Sequence, residues 1–172
     1  MGDNITALIA MQRRAMDGSP DCGDQLAVWE EKNGQNDRRL ICCVVDGLGH
    51  GIHAKEAACH IIQYVANHRD ETPEQLFRGC DEAMRHERGG VMAVAWIDGN
   101  QLTYASVGNI TGYLARQNDD NYRIEHLNMD RGMISGGFKK LNVQTLTLAE
   151  GDLLIMHSDG LHPFYNLVVW HP

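Results

Sequence analysis

Two helical segments stand together in the middle of this chain, with β-rich runs before and after them, and that segregation limits the folds open to it. Over residues 54–68, Ala54, Ala57, Ala58, Ile61, Ile62 and Val65 recur at helical spacing and form one apolar stripe. A second helix opens at Thr72-Pro73, with threonine as N-cap and proline at the first helical position. Gln75, three residues on, permits a capping box. The spacing carries this helix to about Arg88, where Gly89-Gly90 stops it. Before the pair, strands are expected within residues 5–15, at 25–30 and at 39–46, the last two joined through the Asn-Gly turn in residues 32–37. After it, strands are expected at 91–97, 101–107, 112–116, 122–127, 142–148 and 153–157. Strands, a helix pair and strands again predict an α+β sandwich, not a repeating βαβ sheet.

The bulk properties exclude several functions. A chain of 172 residues fits one domain, expected to span residues 1–172. Its net charge of −8, with no basic stretch, argues against nucleic acid, whose binding draws on phosphate neutralisation. The longest apolar run, residues 40–45, is far short of a membrane span, and residues 1–11 lack the pattern of a signal peptide. Five cysteines without CxxC spacing read as small buried hydrophobes in a reducing compartment, so a cytoplasmic location is expected. An acidic protein can still bind phosphate where cations supply the positive charge.

Four short motifs could carry chemistry. In Val44-Val45-Asp46-Gly47-Leu48-Gly49-His50-Gly51 an apolar strand delivers an aspartate into a glycine-rich turn, with a helix just beyond. Gly47 lets its carbonyl approach a ligand closely, and hard cations prefer carboxylate and carbonyl oxygens. The spacing fits neither GxGxxG nor a Walker A loop. His157-Ser158-Asp159-Gly160 repeats the plan of strand, aspartate, glycine. Gly23-Asp24 opens a strand, and Val107-Gly108-Asn109 closes one. Each taken singly is equally an ordinary turn.

In this order the motifs resemble the SpoIIE-like and RsbX-like bacterial branch of the protein phosphatase 2C-like (PPM) family. That branch carries GD, then DG(L/M)GHG leading into a helix, then S.GN, then SDG. Here these stand as Gly23-Asp24, residues 46–51, Ser106-Val107-Gly108-Asn109 and Ser158-Asp159-Gly160, so the likeness runs from about Gly18 to Leu161. The resemblance implies an α-β-β-α sandwich of two antiparallel sheets flanked by helices. It implies two ions, Mn²⁺ or Mg²⁺, bridged by Asp46, with the Gly47 carbonyl on one and Asp159 on the other. Asp24 would ligate or, in the favoured reading, orient the attacking water. The activity implied is hydrolysis of phosphoserine or phosphothreonine by a water that the ions activate. The partners implied are phosphorylated regulators of anti-sigma-factor or stressosome pathways, such as a STAS-type antagonist. No residue is assigned to substrate.

The chain departs from the family pattern at its end. Members close with a further strand bearing an aspartate, and residues 160–172 hold none. A domain lacking the final strand, truncated or short of one metal ligand, is therefore expected. Its rival readings are a pseudophosphatase that binds a phosphorylated partner without turnover, and a glycine-turn binding domain with no metal site. Arg13 and Arg14 read as surface charges, and the histidines as structural or surface groups, with His50 structural and His157 facing outward. Residues 129–137 read as a mobile loop, with residues 130–140 as a substrate-shaping flap the weaker alternative.

Overall fold

The computed structural model describes residues 7–15, 18–32, 38–118 and 121–159. The expected Asn-Gly turn at 33–37, the turn residues 119–120, residues 5 and 6, and Gly160 with everything after it lie outside the described residues.

Antiparallel pairing builds the frame. Strands β1 (Asp24–Lys32), β2 (Arg38–Gly47), β3 (Gly90–Asp98), β4 (Gln101–Val107) and β9 (Gln144–Thr147) form a five-stranded sheet in the order β1-β2-β3-β4-β9. Strands β5 (Thr111–Asn118), β6 (Asn121–His126) and β10 (Leu153–His157) form a second sheet in the order β10-β5-β6. Between β2 and β3 come the helices α1 (Gly51–Asn67) and α2 (Pro73–Ala83).

Strand periodicity sorts the core into two layers, because successive side chains point to opposite faces. Ile41, Cys43 and Val45 of β2, with Met92, Val94 and Trp96 of β3, pack under Ala58, Ile61 and Val65 of α1 and Leu76, Phe77 and Cys80 of α2. The alternate residues, Cys42 and Val44 of β2 and Ala93 and Ala95 of β3, face Leu114, Leu154 and Met156 of the second sheet. The five-stranded sheet is thus buried on both faces, which is why β2 and β3 are apolar almost throughout. Both helices cover one side of it. A helical layer over the outer face of the second sheet is not seen among the described residues.

Most expected elements stand within a few residues of their sequence positions, and the differences have local causes. No strand forms over residues 7–15. α2 has the capping box between Thr72 and Gln75, but it ends at Ala83, five residues before Arg88. Met84 is the last buried apolar residue, and Arg85 to Arg88 offer the core nothing to hold. The chain turns there instead, so that the Gly89 carbonyl accepts from the Leu48 amide at 3.0 Å. Residues 129–137 are not a free loop. They include a small hairpin of β7 (Gly132–Met133) and β8 (Gly137–Phe138), with Ile134 wholly buried.

His157 is on the outer face of its sheet as expected, yet it is 7% exposed because its ring stacks on Tyr113. Cys43 and Cys80 are buried as expected, whereas Cys59 is exposed on α1, and all five cysteines are free thiols. Among the described residues no helix is long and apolar enough to cross a membrane.

Candidate active site

β1 and β2 pair so that Asp24 lies directly opposite Asp46. The Gly47 amide then donates to the Gly23 carbonyl at 3.2 Å, closing the ladder at that end. Directly beyond, the chain must turn into α1 within three residues. It does so by pressing Gly47 against α1: a Cβ at Gly47 would overlap the carbonyl oxygen of Ala54. Gly49 takes φ +96°, a left-handed conformation that favours glycine, and the Arg88 guanidinium fills the space a side chain there would need. Arg88 Nη1 donates to the Leu48 carbonyl at 3.4 Å. His50, expected to be structural, is exposed and caps α1 with its backbone alone.

The second sheet brings the other two motifs to the same end. Ser158, just past β10, donates from Oγ to Asp24 Oδ2 at 2.8 Å, across a separation of 134 residues. Asn109, in the turn between β4 and β5, donates from Nδ2 to Asp159 Oδ2 at 3.2 Å. Asp24, Asp46 and Asp159, named from sequence, therefore meet where the ends of the two sheets converge. Ser158 and Asn109 stood in the motifs but carried no assigned role. Their signal was only their fixed place beside an aspartate or a glycine.

Electrostatics records this convergence. Asp46 is pushed up from the usual 3.8 to about 6, first by its burial, then by the charges of Asp24 and Asp159, and by a hydrogen bond with Asp24. Among the described residues none of these three carboxylates is ion-paired with a lysine, arginine or histidine. Three like charges without a counter-cation, Asp24 and Asp46 partly buried and Asp159 exposed, suit hard divalent ions, and the Gly47 carbonyl adds an oxygen of the right kind. No group of three histidine, cysteine, aspartate or glutamate side chains among the described residues is drawn in to coordination distance. Ser158 and Asn109 each occupy one oxygen of Asp24 and Asp159.

A separate cavity of about 270 Å³ lies along α1. His53, Glu56, Ala57, His60, Glu87 and Arg88 line it, and it contains none of the three aspartates. Its histidines are already bonded to carboxylates, His53 to Glu56 at 3.2 Å and His60 to Glu87.

Facing antiparallel sheets with unpaired carboxylates gathered at one end make a scaffold for cation-assisted hydrolysis. Comparison with known proteins agrees. The family described as Stage II sporulation protein E (SpoIIE) matches residues 36–163. Phosphoserine phosphatase RsbX of Bacillus subtilis (strain 168) is 32% identical over 148 residues, 85% of this chain and 70% of that protein. A crystal structure of RsbX in complex with magnesium superposes with a TM-score of 0.74 at 30% identity, over 88% of this chain and 73% of that one. A structure from work on the bacterial stressosome gives 0.75 at 28% identity, over 87% and 74%. The chain belongs to the SpoIIE family, within the PPM-type (protein phosphatase 2C-like) hydrolases.

Proposed function

We propose that this protein is a metal-dependent serine/threonine phosphatase that removes phosphate from a regulatory phosphoprotein of the anti-sigma-factor or stressosome type. It would act in the cytoplasm, with residues 1–172 belonging to one phosphatase domain. The observation that carries the reading is the meeting of Asp24, Asp46 and Asp159 without a compensating cation. The likeness to RsbX, whose crystal structure holds magnesium, supports it.

Asp46, the Gly47 carbonyl and Asp159 would hold two ions, Mg²⁺ or Mn²⁺. When bound, such ions neutralise phosphate charge and acidify the attacking water. The protein's own groups supply position. Ser158 fixes the rotamer of Asp24, leaving that carboxylate to orient a water and accept its proton. Asn109 does the same for Asp159. The turn at Gly47 and Gly49 would present the backbone carbonyl beside the carboxylates. None of the five cysteines has a part in this chemistry.

Phosphate release from a phosphoserine peptide and from p-nitrophenyl phosphate tests the proposal. Release is expected with Mg²⁺ or Mn²⁺, none with chelator, and a loss of at least about a hundredfold in Asp46→Asn and Asp159→Asn. Release unaffected by chelator or by both substitutions would reject it. A second reading, a pseudophosphatase that binds a phosphorylated partner without turnover, draws on the lack, among the described residues, of three candidate ligands grouped at coordination distance. Calorimetric titration with Mg²⁺ and Mn²⁺ separates the two, since two ions bound tightly favour the enzyme.

A further inference from the structure

The small hairpin beside the site carries positive charge that the protein leaves unanswered. Most arginines and lysines whose contacts are described face a carboxylate: Arg38 with Glu30, Arg39 with Asp98, Lys55 with Asp21, Arg69 with Glu31, Arg78 with Glu74 and Arg116 with Asp152. Arg131, Lys139 and Lys140 are exposed, and none makes an ion pair or side-chain hydrogen bond among the described residues. The register pairs Gly132 with Phe138 and Met133 with Gly137. Arg131 directly precedes the first of these strands and Lys139 directly follows the second, so both leave the hairpin at its open end.

Nearby acids are committed elsewhere. Asp130 is bound to the amide and side chain of Asn142. Asp81 accepts from the amides of Ser135 at 2.8 Å and Gly137 at 3.1 Å.

The backbone that carries Arg131 is anchored beside the turn that holds Asn109. Asp130 is bonded through its amide to the Ser106 carbonyl at 2.9 Å, and through its carbonyl to the Gly108 amide at 2.8 Å, next to Asn109. Ile134 exchanges two backbone bonds with Gly90, which pairs with Gly47. Arg131 lies between these anchors. From behind, Arg78 of α2 donates to the Phe138 carbonyl at 2.7 Å and rests over the Phe138 ring. A protein of net charge −8 with three aspartates in its site repels an acidic phosphoprotein at long range, and cationic side chains at the site's edge oppose that locally.

We propose that Arg131, Lys139 and Lys140 form a docking rim for carboxylates that flank the phosphorylated residue of the substrate protein. This rests on the phosphatase reading and adds the class of sequence the enzyme prefers. The test uses two phosphoserine peptides of equal length, flanked by glutamates or by glutamines, with p-nitrophenyl phosphate as a substrate lacking flanks. Rates are measured in Mg²⁺ at low and high salt, and binding of each peptide by fluorescence anisotropy.

Arg131→Glu is expected to lower kcat/KM for the glutamate peptide about tenfold, mainly through KM, with p-nitrophenyl phosphate unchanged. Lys139→Glu should act in the same direction, and high salt should erase both differences. Arg123→Glu is the control. It changes the net charge equally, but lies on β6 at the end of its sheet remote from Ser158. Equal losses on both peptides, no loss, or a matching loss in Arg123→Glu would overturn the proposal. Should wild type hydrolyse nothing in Mg²⁺ or Mn²⁺, the phosphatase reading fails, and anisotropy still decides the rim. Wild type must then bind the glutamate peptide about tenfold more tightly than Arg131→Glu does.

Discussion

Replacing Asp46 with asparagine should stabilise the protein without metal and destabilise it relative to wild type when metal is present. In the fold the Asp46 carboxyl rises from 3.8 to about 6, so its charged form is disfavoured there. The cost is absent below about pH 4, grows as pH rises through about 6, and is full above that. Two units correspond to roughly 3 kcal/mol, and because Asp46 is only half-buried, solvent screening reduces this to about 1.5 kcal/mol. For a chain of this size the variant without metal should melt about 3–6 °C above wild type at neutral pH, and level with it near pH 4. With cation in about a hundredfold excess over Kd, wild type should gain roughly 2.7 kcal/mol and the variant almost nothing. The order of the two melting temperatures then reverses. Calorimetric melting of both proteins, with chelator and with Mg²⁺, at neutral pH and near pH 4, reads all four conditions. If the variant melts no higher than wild type in chelator, or keeps the full rise with Mg²⁺, the account of Asp46 is wrong.

Three further outcomes follow from single contacts. Ser158→Ala removes the hydrogen bond that holds Asp24, and steady-state kinetics should show kcat lowered about tenfold, with an unchanged circular dichroism spectrum. Gly47→Ala forces a methyl group into the Ala54 carbonyl, and denaturant melts should show a loss of about 3 kcal/mol, together with weakened cation-linked stabilisation. Thr72→Ala breaks the capping box of α2 far from the carboxylates, so it should cost about 1 kcal/mol in the same melts and leave kcat unchanged.

The strands and helices were legible because their signals are local. Ala54, Ile61 and Val65 announce α1 by spacing, and Thr72 with Gln75 announces the start of α2 by a cap that three residues can make. Where an element depends on what lies across from it, the sequence misled. α2 ends at Ala83 because the core contacts of its face run out at Met84, and the residues beyond turn toward Leu48, whose amide donates to the Gly89 carbonyl. The segment around Ile134 becomes a hairpin because Gly90, Asp81 and Arg78 grip it, and none of those is its neighbour in sequence. His157 is buried because Tyr113 happens to lie beside it on the adjacent strand.

The amino-acid order by itself determined the class of fold, the family likeness and which aspartates to watch, since each is written in periodicity or in short motifs. Only the tertiary structure decided that Asp24 would face Asp46, that Ser158 and Asn109 would hold Asp24 and Asp159, and that the backbone beside Arg131 would be tied to the Gly108 turn. The physical reason is range. Propensity and capping act over a few residues, whereas strand register and charge act through space, between residues 50 positions apart for Asn109 and Asp159 and 134 for Ser158 and Asp24.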